Sequence, residues 1–116
     1  MDLRPYLEMT DDELYATLGA SLLGSGAGMS PEDRDEAEDY GRTWFKARYA
    51  ALQQQVCLHP KVKGLTGGSG SDRVVDAATI AELVQEAGGN PLHAAVIAVL
   101  VTRIGLGLFC ANVRPR

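Results

Sequence analysis

The chain has 116 residues, 46% of them hydrophobic and 22% charged, with a formal net charge of -4. That length is one domain's worth and is enough to bury a core without staples, while the composition excludes a disordered chain. The acidic balance argues against general nucleic-acid binding, which draws most of its affinity from a basic face.

The charge is unevenly distributed. Residues 1–40 carry eleven acids against only Arg4 and Arg34. Residues 41–116 carry nine Lys or Arg against Asp72, Asp76, Glu82 and Glu86. Acids near helix starts match the helix dipole. The same asymmetry also offers an acidic surface to a basic partner. The N-terminus opens on charge with no apolar stretch of signal-peptide type, so a cytoplasmic location is the default expectation.

There is no internal repeat, and period-2 alternation nowhere extends over five or more residues. Punctuation and periodicity predict four helices, over about 11–23, 31–58, 74–87 and 91–110. The first opens on Thr10 with Glu13 three residues later, a capping box. Leu14, Tyr15, Leu18, Leu22 and Leu23 recur along it, and Gly24 with the run to Gly28 stops it. Leu3, Tyr6 and Leu7 precede it as a short lead-in.

The second helix has Ser30 as N-cap, Pro31 at the first position, and acids in the first turn. Its expected apolar stripe is Ala37, Tyr40, Gly41, Trp44, Phe45, Tyr49, Leu52 and Val56. Glu38 and Arg42 form a favourably oriented i,i+4 pair, and Arg48 lies one turn from the Trp44 ring. His59-Pro60 ends this helix.

Residues 60–72 read as a long Gly-rich loop. The third helix carries Val75, Ile80, Leu83, Val84 and Ala87, and Gly88-Gly89 close it. The fourth opens on Asn90 with Pro91 behind it. From Leu92 to Cys110 it is apolar almost throughout. His93, Thr102 and Arg103 project in different directions, so no polar stripe exists and burial on all sides is expected. Gly105 and Gly107 each cost about 1 kcal/mol in a helix relative to Ala, which suggests close approach of another backbone. Arg103 and the short uncharged run place the segment in a core, not a membrane.

The chemistry-bearing residues are few. Cys57, His59, His93 and Cys110 have the composition of a Cys2His2 zinc site. His93 and Cys110, seventeen residues apart on one helix, stand roughly 25 Å apart, which removes the four-ligand set unless the helix breaks at Gly105. Two cysteines make no disulfide framework, and the reading is two buried thiols acting as small apolar fillers. No metal site, no cofactor signature and no catalytic set is predicted. The Gly-rich loop, with Lys61, Lys63, Gly67, Gly68, Ser69 and Arg73, is the alternative site, for an anion or nucleotide. It lacks the Gly-Lys-Ser/Thr of a P-loop.

The sequence therefore predicts an all-α, four-helix bundle of two helical hairpins joined by the Gly-rich loop. Complete burial of the last helix strains so small a chain, which points to self-association or a docked protein partner. The expected function is a non-enzymatic interaction module, an adaptor or accessory subunit. The alternative is an anion- or nucleotide-responsive regulator.

Overall fold

The computed structural model of the chain describes residues 3–24, 31–59, 73–86 and 90–111. Among them every regular element is helical. In chain order these are α1 (Arg4–Leu7), α2 (Asp11–Leu23), α3 (Pro31–Cys57), α4 (Arg73–Glu86), α5 (Pro91–Ile104) and α6 (Leu106–Phe109).

The capping box of α2 forms as the sequence predicts. The Glu13 amide donates to Thr10 Oγ1 at 3.1 Å, and the Thr10 amide donates to Glu13 Oε1 at 3.2 Å. Gly24, at φ +76°, closes the other end in the left-handed conformation that Gly adopts without a Cβ penalty. At α5, Asn90 Oδ1 accepts from the Leu92 amide at 2.8 Å, with Pro91 at the first helical position. Ser30, the glycines of 26–28 and Gly88-Gly89 lie outside the described residues.

α2 and α3 pack antiparallel and unusually close. A Cβ at Gly19 would lie 2.6 Å from the Ala37 carbonyl carbon and closer still to its oxygen. A Cβ at Gly41 would meet the Tyr15 carbonyl in the same way. Both positions therefore require glycine for space. This is where backbones approach closely. At Gly105, by contrast, a Cβ would meet nothing within 4 Å. The expectation of a close approach there is corrected: Gly105 is needed for its positive φ of +96°, a conformation L side chains rarely adopt.

That backbone turn also divides the predicted C-terminal helix. α5 ends at Ile104, and α6 follows as a separate four-residue helix. With fourteen residues, α5 spans about 21 Å at 1.5 Å per residue, short of the hydrocarbon thickness of about 30 Å. No helix among the described residues is long and apolar enough to cross a membrane.

The core is built around α5. Its nine consecutive residues from Ala94 to Thr102 are all buried. α1, α2, α4 and α6 pack on it, and Phe45, Leu52 and Val56 of α3 join the same cluster. The all-round apolar pattern thus predicts all-round burial correctly. The inferred need for a partner to cover this helix does not follow, because the chain covers it itself. The two polar side chains near its end are both satisfied. Thr102 Oγ1 donates to the Ala98 carbonyl at 2.7 Å. Arg103 reaches the N-terminal lead-in, donating to Asp11 Oδ1 at 2.7 Å, to the Leu7 carbonyl at 3.0 Å, and to the Met9 carbonyl.

Tyr40 departs from the predicted stripe of α3. Ala37, Gly41, Phe45, Leu52 and Val56 are buried and Trp44 and Tyr49 half-buried, but Tyr40 is 45% exposed. At 100° per residue it lies about 140° around the helix from Phe45, on the solvent side.

Candidate functional site

Three groupings collect the chain's reactive or recognition-capable side chains. The first joins the C-terminal end of α3 to α6. Cys57 and Cys110 form a disulfide, with Cα atoms 5.6 Å apart. This corrects the reading of two buried free thiols acting as apolar fillers. The two cysteines are 53 residues apart in sequence, so only the tertiary fold brings them together. Around the disulfide, Gln53 Nε2 donates to the Phe109 carbonyl at 2.7 Å. The Phe109 ring is fully buried and meets Tyr49 edge-on, with centroids 4.9 Å apart. Leu108, its neighbour, is 75% exposed.

As a cystine the two sulfurs carry neither the free thiolate nor the free thiol that metal binding and nucleophilic catalysis require. Among the described residues no group of three or more His, Cys, Asp or Glu is placed to hold a metal ion. The sequence separates His93 from Cys110 by helix length, and the structure places His93 in other company.

The second grouping is that company. Ser21, near the end of α2, shares a 2.9 Å hydrogen bond with His93 Nε2 in the first turn of α5. The Trp44 ring of α3 lies beside the imidazole, centroids 6.0 Å apart, and the Arg48 guanidinium covers Trp44 at 4.8 Å, as its spacing predicts. Burial holds the His93 pKa below the usual histidine value, because the charged imidazolium is poorly solvated there. At neutral pH the ring is uncharged and ties three helices together. The sequence marks His93 as a possible metal ligand and as one of the scattered polar residues of the last helix, and nothing in its spacing signals the serine partner 72 residues away.

The third grouping is the outer face of α3. Tyr40, Thr43, Ala47, Ala50, Ala51 and Gln54 are all exposed and fall on one side of the helix at 100° per residue. This side carries no charge over four turns. Along one border Asp35 and Asp39 come first and Arg42 and Lys46 follow, and Glu36 lies on the same side one turn before Tyr40, all exposed. Arg42 is anchored by Asp12 of α2 and stands 3.9 Å from Glu38, the predicted i,i+4 pair. Its guanidinium also lies 4.4 Å from the centre of the Tyr15 ring. Burial raises the Tyr15 pKa, with the Arg42 cation opposing it.

Lys61, Lys63, Gly67, Gly68 and Ser69 lie outside the described residues, and Arg73 is described only as the first residue of α4. No family model, curated protein or solved structure matches the chain.

Proposed function

We propose that the chain is a non-enzymatic interaction module, an adaptor or accessory subunit that pairs with a second copy of itself. In this reading α2–α3 and α4–α5 are two helical hairpins assembled as a four-helix bundle. α3 is their longest element and presents the contact surface. The observation that carries the proposal is the uncharged outer face from Tyr40 to Gln54, bordered by an acidic and then a basic stretch.

Charge order selects the partner and its direction. A second α3 laid antiparallel sets Asp39 of one copy beside Lys46 of the other. A parallel pair in register would set like against like, which is unfavourable. A twofold axis near Arg42 makes both halves of the contact equivalent, as closed dimers require. Ala47, Ala50 and Ala51 let the helices approach, and Tyr40 supplies an amphipathic ring of the kind enriched at interfaces.

Cross-linking tests this arrangement. Thr43→Cys, close to the proposed axis, forms an intermolecular disulfide on mild oxidation, while Gln54→Cys, far from it, does not. Equal cross-linking at both positions, or none at Thr43→Cys, refutes the antiparallel pair.

A further inference from the structure

We infer that the Cys57–Cys110 disulfide is a redox latch: two-electron reduction releases residues 105–111 from α3 while the rest of the core stays folded. The inference uses residues apart from the α3 face and stands independently of the self-pairing reading.

α6 is held in place by few attachments. A four-residue helix has no stability of its own, because nucleation costs more than one turn returns. α6 is joined to α5 through Gly105, whose φ of +96° ends the α5 ladder. Among the described residues its attachments to α3 include the disulfide, the Gln53 side chain on the Phe109 carbonyl, and the Phe109 ring on Tyr49. The covalent link is the one attachment that chemistry can switch.

Among the described residues α6 gives the core one fully buried side chain, Phe109, which release would expose, and the rest of that core lies outside α6. Ala94 to Thr102 are buried with α1, α2 and α4 packed on α5. Arg103, just before the Gly105 turn, is anchored to Asp11 and the Leu7 carbonyl. The chain thus has a firm boundary at residues 103–105 and a short unit beyond it, the pattern of a local opening unit.

Access also favours exchange. Cys57 is buried, whereas Cys110 is only half-buried. A thiolate of a dithiol reductant attacks Cys110 Sγ. The bond between the two cysteine sulfurs breaks, and its electron pair leaves with Cys57 Sγ, which takes up a proton. The reductant's second thiolate then attacks its own sulfur in the mixed disulfide. Cys110 leaves as a thiolate and is protonated, and the reductant ends as a disulfide. Two electrons and two protons pass to the protein.

The test is hydrogen exchange read by mass spectrometry, on the oxidised full-length chain and on the same chain reduced with millimolar dithiothreitol, with thiol counting to confirm reduction. Cys57→Ser/Cys110→Ser serves as a reductant-free comparison. The oxidised chain protects the Phe109 amide, which donates to the Gly105 carbonyl at 2.8 Å. Reduction should speed exchange over 105–111 about tenfold or more while α2 and the centre of α5 keep their protection, and the double variant should match the reduced chain. Three results overturn the latch. They are an equal loss of protection across the whole chain, no change at 105–111 after full reduction, and a disulfide that dithiothreitol fails to reduce.

Discussion

Replacing Gly19 by Ala is a sharp test of the packing. In an exposed helix this change stabilises by about 1 kcal/mol, so the structure predicts a reversal of sign. The added Cβ would sit 2.6 Å from the Ala37 carbonyl carbon, whereas ordinary carbon contacts lie at about 3.5–4.0 Å. The carbonyl oxygen is closer still, so α2 and α3 must part by more than about 1 Å, and a gap of about 1 Å already forfeits up to half of the dispersion energy across it. Leu14, Leu18, Ala37 and Phe45 are buried along or beside this contact. Overpacking commonly costs about 1–3 kcal/mol and more when the clashing atoms are backbone. After the propensity gain, a net loss of about 3 kcal/mol is expected, out of a total near 6–17 kcal/mol for a chain of this size. At about 0.24 kcal/mol per degree, Tm falls by about 10 °C or more. Urea and thermal melts followed by Trp44 fluorescence and helical circular dichroism measure it. Gly41→Ala behaves similarly, and the double variant costs less than the two singles together, since one separation relieves both clashes. A Gly19→Ala protein as stable as the parent, or more so, refutes the close crossing.

Further outcomes follow from the same contacts. Cys57→Ala/Cys110→Ala frees a loop of 53 residues; chain entropy puts the loss at about 4 kcal/mol, read as a lower urea midpoint against the oxidised parent. Arg103→Met removes the bonds to Asp11, Leu7 and Met9 and costs about 2–3 kcal/mol, with increased hydrogen exchange at α1. His93 has a depressed pKa, so the unfolded chain binds its proton first. Its contribution is complete above the unfolded pKa of about 6.5 and declines as pH falls from there through the folded pKa. His93→Gln should flatten the slope of stability between about pH 7 and pH 5, measured by urea midpoints at each pH.

Local signals in the sequence translate directly into structure. The Thr10 capping box, the Asn90-Pro91 start, the Glu38–Arg42 pair and the Arg48–Trp44 contact all involve residues within four positions of each other, where helical geometry alone fixes proximity. The burial of α5 is legible for a related reason: a helix without a polar stripe has no face to offer water. Long-range pairings are not legible. Cys57 meets Cys110, and Ser21 meets His93, only because separate helices bring them together, and neither pair has a spacing that announces it. Glycine is ambiguous in the sequence. Gly41 is assigned to the buried stripe correctly, but the close approach falls at Gly19 and Gly41, while Gly105 serves a turn. The inferred shortage of cover for α5 fails because α1, α4 and α6 pack on it with α2. The candidate anion loop, apart from Arg73, lies outside the described residues, whereas the uncharged face of α3 is readable only once Tyr40 is seen to be exposed.

Sedimentation equilibrium of the oxidised chain tests the central claim of self-pairing most directly. The proposal predicts a mass rising with concentration toward twice the 12.4 kDa of one chain. High salt should weaken the association by screening the acid–base border, and Ala47→Glu on the uncharged face should leave a folded monomer. A parent protein that stays at the single-chain mass at every concentration, or an Ala47→Glu variant that pairs as well as the parent, contradicts it.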